Sequence, residues 1–239
     1  MAKLVECIPN FSVSRERDPA VFQALEDLAN SIPGCAVLDV QSDGDHNRCV
    51  FTMVGSPGAM EEAALRLAKQ AAETIDMTKH TGQHPRMGAV DVIPFVPTMD
   101  MTVEECVALS RRVAGRIWEE LAIPVYLYED AATSPDRVNL ASVRKGQFEG
   151  MAEKMKLPEW APDYGERRPH PTAGVVAVGA PLIGWVIVFT GGVLNTNPNT
   201  KNDPAPKRFV LKLIRMLVRV YVEVFRGTPM VLQAVFIYY

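Results

Sequence analysis

The segment Lys79-His80-Thr81-Gly82-Gln83-His84-Pro85-Arg86-Met87-Gly88-Ala89-Val90-Asp91 holds two of the chain's four histidines, together with an arginine and two glycines. Imidazole exchanges protons near neutral pH, so a histidine held on an ordered polar loop suits general acid–base chemistry. Pro85 restrains His84 by pushing the residue before it out of the helical region. Gly82 and Gly88 permit tight turns or close approach by a ligand. Two other readings stay open: both histidines are solvent-facing loop residues, or their i,i+4 spacing offers two nitrogens to a metal ion. Gly82 and Pro85 oppose the helix that would align the two rings, and no third ligand is evident, so no metal is expected.

Three further constellations carry polar chemistry. Asp43, Asp45, His46, Asn47 and Arg48 crowd the junction of two strand-like runs, as either a ligand surface or a hairpin loop. Tyr126, Tyr128, Glu129 and Asp130 stand at a strand end, where edge packing and a helix cap are the plain alternative. Lys154, Lys156, Trp160, Asp163, Tyr164, Arg167, Arg168 and His170 form an aromatic and basic segment that can hold a flat ring and an anionic tail, or form an ordinary surface loop.

These residues need elements to place them. Leu4 to Phe11 reads as a short strand ended near Pro9-Asn10. Asp18 caps a helix opening at Pro19, with Val21, Leu25, Leu28 and Ile32 at helical spacing and Pro33-Gly34 as its stop. Residues 35–41 and 48–55 read as two strands. Residues 58–76 form a helix with Met60, Ala64, Leu67, Ala71 and Ile75 as its buried stripe. A loop over 77–90 leads to a strand at 91–97. Thr102 with Glu105 offers a capping box for a third long helix, whose stripe runs Val103, Cys106, Val107, Ser110, Val113, Ile117 and Leu121. Pro124 to Tyr128 is strand-like, Asn139 to Lys156 is helical with interruptions at Gly146 and Gly150, and 157–174 is irregular. The order predicts an α+β two-layer sandwich, a mixed β-sheet with helices on one face, followed by an apolar helical tail.

Composition narrows the function. The chain has 239 residues and a net charge of -3, which argues against a generic nucleic-acid binder. Residues 201–239 carry seven basic and two acidic side chains, so the body before them is strongly acidic. There is no glycine-rich dinucleotide turn, phosphate loop, HExxH or G-x-S-x-G sequence. Cys7, Cys35, Cys49 and Cys106 have no metal or disulfide spacing, which fits a reducing compartment. No secretory signal is read at the start of the chain.

Several stretches resemble the glutamate formimidoyltransferase family. They are Leu4-Val-Glu-Cys-Ile-Pro-Asn-Phe-Ser12, Asp45-His-Asn-Arg48, Ile75-Asp-Met77, His84-Pro-Arg-Met-Gly88, Pro124-Val-Tyr-Leu-Tyr128 and His170-Pro-Thr-Ala-Gly174. The resemblance runs in order through about residues 1–180 and points to the family's N-terminal subdomain. It implies transfer of a formimidoyl group from N-formimidoylglutamate to tetrahydrofolate in histidine degradation and one-carbon metabolism, by a cytoplasmic transferase. The alternative is a folate-binding or formyl-folate-handling protein without transfer activity. The resemblance places the catalytic histidine at His84. It places folate contacts in the segment from Glu159-Trp-Ala-Pro-Asp163 to Gly174, with Trp160, Asp163, Tyr164, Arg167, Arg168 and Gly174 as the residues. Gln41 stands where many relatives have an acidic residue.

The implied chemistry suits these residue types. A folate nitrogen attacks an amidinium carbon, and one histidine can remove its proton and deliver a proton to the departing glutamate amine. Carboxylates serve a cationic reacting group, with Asp45, Asp91 and Asp130 as candidates. Arginines serve the substrate carboxylates, with Arg48 and Arg86 as candidates. Tetrahydrofolate is the co-substrate, and a second copy of the chain is an admitted partner.

The end of the chain reads differently. Residues 181–207 form a degenerate segment and linker. Residues 208–239 form an amphipathic and apolar tail, with Lys212, Arg215, Arg219, Glu223 and Arg226 on one helical stripe. Residues 209–239 resemble a fragment of the permease of polar amino-acid ABC transporters, most clearly in the run from Val220 to Tyr239. Activity impaired by loss of the second subdomain, and association with a membrane or an apolar partner through residues 208–239, are therefore expected. A membrane-associated interaction protein is the rival function.

Overall fold

The computed structural model describes residues 3–181. Strands β1 (Val5–Cys7) and β2 (Asn10–Phe11) precede helix α1 (Pro19–Ser31). Strands β3 (Cys35–Asp43) and β4 (Arg48–Gly55) lead to α2 (Pro57–Thr74), β5 (Val90–Pro97) and α3 (Val103–Leu121). Then come β6 (Val125–Glu129), α4 (Leu140–Arg144), α5 (Gln147–Lys154) and β7 (Val176–Ala180). Two single 3₁₀ turns, Pro135–Arg137 and Pro158–Trp160, flank α4 and α5.

The single strand expected over Leu4 to Phe11 is two strands. The break falls at Ile8-Pro9, where proline has no N–H to donate to a ladder. Both pieces lie in one lane, since β1 and β2 each pair antiparallel with β4 on one side and β5 on the other. β3 borders β4 antiparallel, and β7 lies between β5 and β6 with both pairings parallel. The sheet is therefore mixed: antiparallel where hairpins connect it, parallel where α3 crosses over.

Three long helices cover one face. Asp18 accepts the Val21 amide at the start of α1, and Ser56 does the same for Ala59 at α2. Thr102 and Glu105 form the reciprocal capping box of α3. The α2 stripe Met60, Ala64, Leu67, Ala71 and Ile75 is buried, as are Cys106, Ser110, Val113 and Ile117 of α3. They pack with Val5, Cys7, Phe11, Cys49, Phe51, Met53, Ile93 and Phe95 from the sheet. Because strand side chains alternate, Glu6, Arg48, Val50, Thr52 and Val54 point to the opposite face.

Part of that opposite face carries a smaller core. Met87, Val92, Tyr126, Tyr128 and Ala177 pack with Val143 of α4 and Met151 of α5. The helix expected over Asn139 to Lys156 breaks at Gly146, whose φ of 97° is a left-handed conformation natural to glycine. Gly150 does not interrupt it and lies inside α5.

The expected linker and tail lie outside the described residues, apart from residue 181. The expectation that residues 208–239 bring the chain to a membrane or an apolar partner is corrected. Among the described residues no helix is long and apolar enough to cross a membrane. A span needs about 20 consecutive apolar residues, whereas the longest helices, α2 and α3, are 18 and 19 residues with charged outer faces. Membrane-associated localisation through the tail is withdrawn with it.

Candidate functional site

The loop from α2 to β5 is zipped at its base. The Met77 amide donates to Thr172 O, and the Ala89 amide to Ala173 O. Ser12 Oγ donates to Gly88 O at 2.7 Å. A Cβ on Gly88 would sit 2.3 Å from Val175 O, so only glycine permits this approach. At the other end, a Cβ on Gly82 would meet His46 O at 2.4 Å. The Gln83 amide donates to Asp45 O, Asn47 Nδ2 to Thr81 O, and the His80 ring meets Asn47 O at 3.1 Å. The loops holding His46 and His84 are thereby one body, with ring centroids 6.3 Å apart.

His84 is buried, with 2% of its side chain exposed. Its Nε2 lies 3.6 Å from Asp91 Oδ2 on β5. Arg48 Nη1, at the start of β4, is 3.1 Å from Nε2 and 3.3 Å from Nδ1. Burial lowers the His84 pKa; Asp91 opposes that, and the charges of Arg48 and Arg144 add to it. The ring is therefore neutral around pH 7, which suits a proton acceptor.

Asp91 is 1% exposed, and both its oxygens are engaged. Oδ1 accepts the Met87 amide at 3.0 Å, and Oδ2 meets Arg144 Nη2 as well as facing His84. The Arg144 charge and the His84 contact outweigh desolvation and hold this carboxyl below the usual range. Asp91 is thus built to orient His84, which leaves it no free oxygen for a substrate cation.

Arg86 is occupied as well. It makes a two-pronged ion pair with Glu149, at 2.9 and 2.7 Å, and donates to Gln147 Oε1 and His80 Nδ1. With the Phe148 amide on Arg86 O, it fastens α5 to the His84 loop. Asp45 is exposed and lends the loop its backbone carbonyl. Asp130 is exposed in the turn after β6, and no hydrogen bond or ion pair links it to His84.

The expected folate residues do not form one surface. Trp160 lies under the Lys154 ammonium, 3.7 Å from its ring centroid, and edge-on to Tyr126. Asp163 is buried against Arg137 at 2.9 Å, accepts the Leu127 amide at 2.8 Å, and accepts the Thr133 hydroxyl. Tyr164 packs at Gly115 of α3 on the other side of the sheet. Arg167 is exposed, and Arg168 pairs with Glu166 on the surface. Arg168 also lines a pocket of about 260 Å³ with Trp118, Ala122 and His170. Gly174, at φ 72°, bridges to Gly88 and so does reach the His84 loop.

Two residues that the sequence did not single out join the site, Arg144 and Glu149; a third buried charge, Glu6, lies further along the sheet, opposite Val54 and Val96. Arg144 and Glu149 sit among ordinary helix-surface charges, and no local pattern marks them. Glu6 is 0% exposed with neither carboxylate oxygen partnered. A charge inside the run Leu4-Val5-Glu6-Cys7 was its available signal. Among the described residues no group of three or more His, Cys, Asp or Glu side chains is placed to hold a metal ion.

The chain matches the formiminotransferase domain, N-terminal subdomain, over residues 4–181. It is 56% identical over 218 residues to the glutamate formimidoyltransferase of Streptococcus pyogenes serotype M1, covering 90% of this chain and 69% of that protein. It is 44% identical over 210 residues to the glutamate formimidoyltransferase of Thermoplasma acidophilum, covering 86% and 65%. It is 42% identical over 196 residues to the formimidoyltransferase-cyclodeaminase of Mus musculus, covering 82% of this chain and 36% of that one. The chain therefore spans about two thirds of the two microbial relatives and about one third of the mouse protein. A match over 90% of the chain necessarily continues past residue 208. The likeness thus runs into the segment read as a permease fragment, and that reading is withdrawn.

Proposed function

The chain belongs to the formiminotransferase family through its N-terminal subdomain, and from that premise we propose that it serves transfer of a formimidoyl group from N-formimidoylglutamate to tetrahydrofolate. The observation that carries the reading is His84: a buried, neutral imidazole, backed by a carboxylate, in the loop sequence His-Pro-Arg-Met-Gly.

In this reading Asp91 takes the Nε2 proton side of His84, the arrangement by which a buried carboxylate fixes an imidazole tautomer, and Nδ1 serves as the base once Arg48, which lies 3.3 Å from it, turns to the substrate carboxylate. His84 accepts the proton released as the incoming folate nitrogen bonds to the amidine carbon. It then returns that proton to the glutamate nitrogen as its bond to the same carbon breaks. Protons and electrons balance with no further reactant. Arg48, which has no carboxylate partner among the described residues, is assigned to a carboxylate of the donor. Family membership, rather than the arrangement of residues 159–174, supports tetrahydrofolate as co-substrate. Trp160, Asp163 and Tyr164 already have packing and hydrogen-bonding partners, so Gly174 beside the His84 loop and the exposed Arg167 and Arg168 are the folate residues this reading keeps.

The test is glutamate release from N-formimidoylglutamate by the full chain with tetrahydrofolate present. His84→Ala should lower turnover by roughly 10²-fold or more. Turnover within threefold of the parent would remove His84 from the chemistry, and release independent of tetrahydrofolate would remove the transfer.

A further inference from the structure

Arg48 contacts the His84 ring and Arg144 contacts Asp91 beside it, from separate elements, the first residue of β4 and the last of α4. Arg144 spends Nη2 on Asp91, while its Nε is buried with no partner. Arg48 touches the His84 ring through Nη1 and no carboxylate. Among the described residues, Asp91 is the only acid within ion-pair distance of His84 or Arg144, and none lies within that distance of Arg48. Asp43, whose charge is also felt at Arg48, spends its oxygens on the amides of Asp45 and His46 and on the His46 ring. Two guanidiniums and one carboxylate therefore meet around a neutral imidazole. Guanidinium stays charged under all ordinary conditions, so the surplus cannot be relieved by deprotonation. A half-buried cation and an orphaned buried N–H are both costly, and a single anion answers both.

We infer that Arg48 and Arg144 together form a seat for one carboxylate of the ligand beside His84, with Arg144 Nε as a donor held in reserve for it. The inference rests on the reading of His84 as the reacting centre, and it names Arg144 as a specificity residue of that site. A monoanion matches the surplus of one positive charge, and a planar carboxylate can accept from both guanidiniums at once. A cationic amidinium is repelled from the same place, so the seat takes the glutamyl end of a donor and leaves the formimidoyl end facing His84.

The test titrates the full chain with L-glutamate and with glutamic acid diamide, following the His84 ring signals by NMR across pH. Glutamate should bind and raise the His84 pKa, because an anion beside the ring favours imidazolium, and the diamide should do neither. Arg144→Met should weaken glutamate binding by roughly 10- to 100-fold, the loss of one charge-assisted hydrogen bond. Arg144→Lys keeps a cation for Asp91 but lacks Nε, and should recover the His84 baseline without recovering full affinity. Equal binding of glutamate and its diamide, absence of glutamate binding, or full affinity in Arg144→Lys would each overturn the seat. Carboxylate binding in a chain without transferase activity would refute the proposed function and leave the seat standing. Activity whose KM is unchanged in Arg144→Met would do the reverse.

Discussion

Replacing Glu6 by Gln should stabilise this protein, and only at neutral to alkaline pH. Glu6 stands in the middle lane of the sheet, opposite Val54 on β4 and Val96 on β5, and points away from the helices that receive Val5 and Cys7. Neither oxygen has a partner, and burial pushes its pKa from 4.5 up to about 7. At about 1.4 kcal/mol per pH unit, that rise corresponds to roughly 3 kcal/mol of lost stability once the folded protein carries the charge. The unfolded chain releases this proton near pH 4.5 and the folded chain near pH 7. The contribution is therefore fully present below about 4.5, falls as pH rises towards 7, and is flat above. Urea unfolding of the parent and Glu6→Gln at pH 5 and pH 8.5 isolates the charge, because the amide's own unpaired groups cost the same at both. The variant should gain about 2.5 kcal/mol on the parent between the two conditions. A change below about 0.5 kcal/mol would refute the reasoning, as would a Glu6 carboxyl that titrates near 4.5 by NMR.

Other consequences follow from the packing around the site. The His84 ring should titrate below 6.5, because burial and two arginines disfavour imidazolium. Its contribution to stability is then present above 6.5 and lost as pH falls below it, which an NMR pH titration checks. Asp163→Asn leaves Arg137 charged and buried, so it should cost about 3–5 kcal/mol in urea unfolding; a cost below about 1 kcal/mol would mean the pair is solvated. Gly88→Ala drives a methyl against Val175 O and Ala173 O, so the loop must separate from residues 173–175. His84 should then gain exposure, read as loss of its shifted titration, with an unperturbed titration counting against the close fit. The Cys49 thiol, pushed up to about 12 by burial, should resist a thiol reagent at pH 8 until the protein is denatured.

Much of the framework is legible locally. The buried stripes of α2 and α3 repeat at helical spacing, and the caps at Asp18, Ser56 and Thr102 are short-range hydrogen bonds, so a window of a few residues suffices to place them. The split of the first strand follows from Pro9 alone. The loop holding His84 was also marked by its composition and by the family resemblance. What that loop does with its neighbours was not. Arg144 meets Asp91 across 53 residues, Arg86 meets Glu149 across 63, and Ser12 meets Gly88 across 76. Asp91, Arg86 and Asp163 all read as free charges in one dimension, and each finds its partner only when separate elements are brought together. Arg48 keeps its freedom for the same reason, since among the described residues no acid is delivered within ion-pair distance of it. Residue types therefore determined which chemistry is on offer, while tertiary structure decided which charges are neutralised. The physical reason is range: helical periodicity and capping act over three or four residues, whereas desolvation and pairing depend on whatever the whole fold places within a few ångströms.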